Sequence, residues 1–211
     1  MIIPLTEKQK AIIIGNVLGD GGIYRSHTSG NGQFYIKQCN KYKDYVYWLF
    51  EELKNLCPSV PKFKKAYNQW YFYSRNLENL EEIRKAFYYN GKKKVPKDIK
   101  EWFTLPLSLA VWYMDDGSLD FRPKDHYNFS FSTNAFSVEE NYLLINVLKE
   151  NFGINATVQT PLCRGKRYPE IYIGVAGRDR FLSLVKPYVL NCFKHKIPPI
   201  KFDPSETDRS T

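Results

Sequence analysis

Leu109-Ala110-Val111-Trp112-Tyr113-Met114-Asp115-Asp116-Gly117 reads as an apolar helix that runs out onto an acidic pair and a glycine. An earlier stretch repeats the pattern, Ile13-Ile14-Gly15-Asn16-Val17-Leu18-Gly19-Asp20-Gly21. Aligned on their Asp-Gly ends, Asp116 matches Asp20, and the two lie close to half a chain apart. A helix C-terminus carries partial negative charge, so an exposed carboxylate there costs about 0.3–1 kcal/mol. One Asp-Gly after a buried helix is a common turn. The same local rule broken twice points to a use for both carboxylates, and a bound divalent cation would reverse the sign of the problem. Gly15 and Gly19, four apart, share a helix face. Two glycines there cost about 1 kcal/mol each against alanine; the return is close backbone approach to a partner helix. The pattern predicts a two-fold pseudo-symmetric chain with two apolar helices paired at its centre.

The 211 residues carry 31 Lys+Arg against 22 Asp+Glu, a net charge of +9. That excess points to a polyanionic partner, nucleic acid first and an anionic membrane surface second. No apolar run reaches the length of a spanning helix, and Met1-Ile2-Ile3-Pro4 lacks the form of a signal peptide, so no membrane partner is expected. Cys39, Cys57, Cys163 and Cys192 are scattered, without a Cys-x-x-Cys pair or a neighbouring histidine. They read as reduced thiols in an intracellular protein, cytoplasmic or organellar, with no zinc site. His27, His126 and His195 form no metal spacing, and the absence of a glycine-rich phosphate loop argues against an ATPase.

Thr6-Glu7-Lys8-Gln9 is a capping box, so a helix is predicted from Glu7 to about Leu18. Ile23–Arg25 and Phe34–Gln38 read as strands, and Tyr42–Leu56 as a helix stopped by Pro58. Lys62–Tyr67 and Trp70–Arg75 read as a hairpin, Leu77–Phe87 as a helix, and Lys92–Pro96 as a basic loop. Ile99–Phe103 adds a short helical link. The second half repeats the order. Pro106 suits a first helical turn, Phe129–Thr133 is a strand, and Ser137-Val138-Glu139-Glu140 caps a helix that runs to Asn151. Ile154–Thr160 and Ile171–Val175 form a hairpin around a basic loop, and Arg178–Val189 is a helix. Lys194–Pro198 mirrors Lys92–Pro96. The fold class is α+β: two αββαββα halves, residues 1–97 and 98–203, with a polar tail at 204–211 expected to be disordered.

Both helix-end stretches resemble the motif of LAGLIDADG homing endonucleases in the single-chain form that holds two copies. Leu18-Gly19-Asp20-Gly21 and Met114-Asp115-Asp116-Gly117 carry the likeness. Asn16 stands where the motif is apolar, Val111 where it has glycine, and Asp115 where it has a small residue. The resemblance implies paired central helices flanked by two four-stranded antiparallel sheets that form a DNA-binding saddle. It also implies a monomeric site-specific nuclease that cuts both strands of a long, imperfectly palindromic duplex and leaves short 3′ overhangs.

Phosphodiester cleavage needs an activated water and relief of charge on the scissile phosphate, which carboxylate-held divalent cations supply. By the resemblance, Asp20 and Asp116 are the catalytic and metal-binding carboxylates. Mg²⁺ is the expected ion and Mn²⁺ a substitute; Ca²⁺ should support binding but little cleavage. Asp115 either helps at the site or only turns the chain. Lys94 and Lys196 each precede a Val/Ile-Pro pair and are candidates to stabilise developing negative charge. Lys93 rivals Lys94, and a lysine in such a loop is ordinarily just solvated. Gln38 ends a strand where the family places a polar residue near the metals; Thr133 or Asn134 is its counterpart. Lys37, Lys62, Lys64, Arg75, Arg164, Lys166 and Arg167 lie on or near strands and are candidate DNA contacts, since a two-stranded ribbon fits the major groove. Two rival readings share the fold: an intron maturase, with intron RNA as a second partner, and a non-catalytic DNA-binding regulator.

Overall fold

A computed structural model describes residues 3–122, 126–163 and 165–199. Helix α1 (Glu7–Leu18) begins on Thr6, whose hydroxyl accepts from the Gln9 amide while the Gln9 side chain accepts from the Thr6 amide. It is followed by β1 (Gly22–Arg25), β2 (Gly32–Cys39), α2 (Lys43–Leu53), β3 (Lys62–Lys64), β4 (Gln69–Tyr73) and α3 (Glu78–Phe87). A small hairpin, β5 (Tyr88–Tyr89) and β6 (Lys92–Lys93), and the short helix α4 (Ile99–Trp102) lead into the second half. There α5 (Pro106–Asp116) carries Pro106 in its first turn, where a missing amide hydrogen costs nothing. Next come β7 (Gly117–Arg122), β8 (His126–Phe131), α6 (Val138–Phe152), β9 (Thr157–Gln159), the hairpin β10 (Leu162–Cys163) and β11 (Lys166–Arg167), β12 (Glu170–Ile173) and α7 (Val175–Val185). A 3₁₀ segment, Asn191–Lys196, returns to the centre.

Each half builds one four-stranded sheet, in the order β1-β2-β4-β3 and β7-β8-β12-β9, with every pairing antiparallel. In β2 burial alternates strictly: Phe34 and Ile36 enter the core while Tyr35 and Lys37 face outward. That alternation commits one face of each sheet to the helices and leaves the other open. Between the sheets, α1 packs along α5. Both helices are buried almost all round, from Ala11 to Leu18 and from Leu107 to Met114, so neither shows the polar stripe of a surface helix. An aromatic cluster ties α5 to its sheet, with the Trp112 ring stacked 4.1 Å from Phe131 and Tyr113 packed edge-on to Phe181 at 4.9 Å.

The glycine face works as the spacing implies. A Cβ at Gly15 would press on the Ser108 carbonyl and sit 2.8 Å from the Val111 Cβ. A Cβ at Gly19 would sit 2.5 Å from the Asp115 Cβ. Val111, bulky where the motif has glycine, is accommodated because Gly15 faces it.

Four readings change. Gly117 does not stop the chain in a turn; its backbone is extended and leads directly into β7, a strand the composition concealed. The second strand of that half ends at Phe131, which leaves Thr133 outside the sheet. Helix α7 starts at Val175, on Gly174, and ends at Val185, earlier than the apolar period suggests. Lys92–Pro96 is not simply a loop: Asn90 and Gly91, both at positive φ (49° and 76°), make the tight turn of the β5–β6 hairpin. The tail 204–211 lies outside the described residues.

Candidate active site and nucleic-acid interface

The C-termini of α1 and α5 deliver Asp20, Asp115 and Asp116 to one place. The Asp115 carboxylate reaches across the helix pair into the space that Gly19 leaves open and accepts from the Asp20 amide at 3.3 Å. Its other oxygen accepts from the Tyr45 hydroxyl of α2 at 2.9 Å. Asp20 is exposed, and one of its oxygens accepts from the Gln38 carboxamide at 2.8 Å. Asp116 is half-buried. Burial, and then the Asp20 charge, push its carboxyl up to about 7. Burial and the same neighbour push Asp115 well above the usual carboxylate range. Crowding at two helix C-termini thus disfavours the ionised forms of Asp115 and Asp116.

Two lysines answer that crowding. Lys93 donates to the Gly19 carbonyl at the end of α1, at 2.5 Å. Lys196 donates to the Met114 carbonyl at 2.6 Å and to the Tyr113 and Asp115 carbonyls at 3.2 and 3.3 Å, which caps α5. Tyr113 holds Lys196 in turn, its hydroxyl donating to the Lys196 carbonyl at 2.7 Å. Burial lowers both ammonium pKa values, while the Asp20, Asp115 and Asp116 charges pull them back up. The first half thus contributes Asp20 and Lys93, and the second Asp115, Asp116 and Lys196, each lysine on the carbonyls of a helix end.

Lys94 is not at this site. Strand geometry turns neighbouring side chains to opposite faces; in the β5–β6 hairpin Lys93 points to the helix ends, and the Lys94 ammonium lies 5.9 Å from the Tyr89 ring centre instead. Among the described residues no second side chain holds a site carboxylate as Gln38 holds Asp20 from a strand. Thr133 is buried, with its hydroxyl on Asn141 and on the Pro169 carbonyl at 3.4 Å, and Asn134 is exposed. Tyr45, which anchors Asp115, lies on a helix whose sequence reads only as core; no spacing rule marks it.

The oxygens gathered here are those of the Asp20, Asp115 and Asp116 carboxyl groups, hard donors of the kind a divalent cation takes. Among the described residues no three His, Cys, Asp or Glu side chains converge as a complete metal site. Two carboxylates with water and phosphate oxygens are what Mg²⁺ ordinarily takes, so the residues present fit it.

The candidate DNA contacts divide. Lys37 opposes Tyr71, and Tyr71 opposes Lys62, so these three share the open face of the first sheet. Lys64 joins them opposite Gln69. Arg75 does not: its guanidinium donates to the Asn55 and Cys57 carbonyls at 3.3 and 2.8 Å and closes the end of the segment after α2. Lys166 and Arg167 project on the β10–β11 hairpin, Arg167 donating back to the Thr160 carbonyl at 2.8 Å. Arg164 lies outside the described residues. No helix among them is long and apolar enough to cross a membrane.

A model of the LAGLIDADG DNA endonuclease family matches residues 10–181. The chain is similar to DNA endonuclease I-ChuI of Chlamydomonas applanata, 25% identical over 210 residues that cover 92% of this chain and 95% of the relative. It is also similar to cytochrome b mRNA maturase bI2 of Saccharomyces cerevisiae, 29% identical over 213 residues, covering 92% of this chain and 48% of that one. The chain therefore spans about half the length of the maturase. Among solved structures it is similar to the homing endonuclease I-WcaI bound to its DNA recognition sequence, with a TM-score of 0.80 and 25% identity over 94% of this chain and 89% of the other.

Proposed function

The chain belongs to the LAGLIDADG DNA endonuclease family, and on that premise we propose that it hydrolyses both strands of a long asymmetric DNA site with Mg²⁺. The observation that carries this reading is the meeting of one carboxylate and one lysine from each half at the ends of paired helices. Asp20 and Asp116 would hold the cation. A divalent cation held there supplies charge relief at the phosphate and lowers the pKa of an attacking water. Gln38 orients the Asp20 carboxylate, and Asp115, fixed by Tyr45, orients the Asp20 backbone. Lys93 and Lys196, each half-buried and already tethered to helix-end carbonyls, neutralise charge that develops on the phosphate.

The test is cleavage of a target duplex by wild type, Asp20→Asn and Asp116→Asn. Either substitution keeps shape but removes a ligand charge, so each should abolish double-strand cleavage, and the double variant should be no worse than the more damaged single. Mg²⁺ or Mn²⁺ should support cleavage, Ca²⁺ binding alone, and chelator no cleavage. Full activity in either Asn variant, or in chelator, would overturn the reading. The likeness to bI2 favours a second reading, an RNA-binding splicing maturase on the same fold. Tight intron-RNA binding and splicing, with no duplex cut under any metal, would put that reading first.

A further inference from the structure

The two sheets share a topology, so their open faces can be compared position by position. The Asp20-Gly21 and Asp116-Gly117 ends make Tyr24 of β1 equivalent to Asp120 of β7. The strand registers then make Gln33 equivalent to Asn128, Tyr35 to Ser130 and Tyr73 to Tyr172. Tyr71, two residues before Tyr73, corresponds to Glu170. The scaffold is repeated, while the chemistry on it changes at three of these five positions: Tyr24, Tyr35 and Tyr71 give way to Asp120, Ser130 and Glu170.

On the first sheet the open face is aromatic. Tyr24 stacks on Tyr35 with centroids 3.9 Å apart and planes 6° from parallel, and Tyr71 meets Tyr73 edge-on at 5.5 Å. Tyr24 is 49% exposed and Tyr73 38%. Lys37 lies 5.5 Å from the Tyr35 ring centre. On the second sheet Asp120, Ser130 and Glu170 stand where the first has Tyr24, Tyr35 and Tyr71, while Tyr172 keeps the aromatic of Tyr73. Arg122 donates to both Asp120 oxygens, at 3.3 and 2.9 Å. Asn128 is buried, its Oδ1 without a partner among the described residues and its amide nitrogen 3.2 Å from His126 Nε2.

The net charge and the lysines around the first face make duplex DNA the complementary occupant of both, and this step rests on the endonuclease reading. In the major groove the apolar feature is the thymine methyl, while guanine and cytosine offer O6/N7 acceptors and an N4 donor. We infer that the two sheets read chemically different half-sites: the first by aromatic contact with thymine methyl groups, the second by hydrogen bonds with G·C pairs, Arg122 donating to guanine and Asp120 accepting from cytosine.

The target is obtained by binding selection from a randomised duplex library in Ca²⁺ buffer, so cleavage is not required. The half-sites are assigned by which one loses selectivity in Tyr24→Ala and which in Asp120→Ala. Thymines of the first half-site are then replaced by deoxyuridine and guanines of the second by 7-deazaguanine. Loss of one contacted methyl should weaken binding by about fourfold, and loss of a contacted N7 by roughly tenfold; the reciprocal replacements should be nearly silent. Tyr24→Phe should retain deoxyuridine sensitivity and Tyr24→Ala should lose it. A first half-site without thymine preference, silent deoxyuridine there, or equal effects in both halves would overturn the inference while leaving the nuclease reading intact. Failure to select any specific duplex would overturn both.

Discussion

At the scale of single residues, the hairpin puts Lys93 on the end of α1 and turns Lys94 toward Tyr89. Lys93→Ala should slow cleavage at least tenfold with site affinity largely kept, because help confined to the transition state is differential. Lys94→Ala should be nearly silent, since its ammonium lies against Tyr89. Single-turnover cleavage beside a binding titration in Ca²⁺ separates the two, and equal losses of rate and affinity would make Lys93 a phosphate anchor. Asp116 gives a pH signature in metal-free protein. Burial and the Asp20 charge push its carboxyl up to about 7 when folded, against the ordinary 3.8 of an unfolded chain. Between those values the folded state binds more protons than the unfolded one, so stability falls as pH rises across that window. The contribution is about 1–2 kcal/mol once solvent screening at a half-buried group is allowed for. From pH 5 to pH 8 in chelator, wild type should lose a few degrees of Tm more than Asp116→Asn. A parallel fall in both proteins would contradict the shift. Asp115, shifted in the same direction, leaves a residual slope in the variant.

At the scale of the elements, the α1–α5 contact rests on glycines whose obstacles differ. Gly15 faces a backbone carbonyl as well as Val111, whereas the three nearest atoms to a Cβ at Gly19 all belong to the Asp115 side chain. Gly15→Ala should therefore cost roughly 1–3 kcal/mol by overpacking, and no single side-chain change opposite should recover it. Gly19→Ala should cost a similar amount, with Asp115→Gly restoring much of it despite the lost Tyr45 partner. Thermal or urea unfolding of the four proteins gives the coupling directly. Additive losses at Gly19 and Asp115 would show that the helices do not meet there as described.

At the scale of the whole molecule, a +9 chain with lysines on its open sheet face should bind DNA chiefly through phosphates. Log affinity should fall by about 0.9 per log unit of salt for each phosphate neutralised. Lys62→Ala or Lys64→Ala should reduce that slope by about one and weaken all sequences alike. Arg75→Ala should leave the slope unchanged and lower stability instead, because its donors are spent on the Asn55 and Cys57 carbonyls. A salt titration of each variant distinguishes them; nearly salt-independent binding by wild type would count against the basic face altogether.

Much of this architecture is local and so was legible in the chain. Thr6 and Ser137 begin their helices through capping boxes, Pro106 takes the turn that tolerates it, and β2 alternates inward and outward residue by residue. These depend on neighbours within a few positions, as does the repeated Asp-Gly helix end that predicts the pairing. The Asn90-Gly91 turn was equally visible, yet the run of lysines beside it hides the strand. Tertiary structure alone decided the rest. Lys93 rather than Lys94 meets the helix ends because a hairpin is set against α1; Arg75 turns to nearby carbonyls rather than the open face; Asp115 reaches Tyr45, 70 residues away in sequence. Such contacts are selected by which surfaces are brought within a few ångströms, and no spacing along the chain encodes that distance.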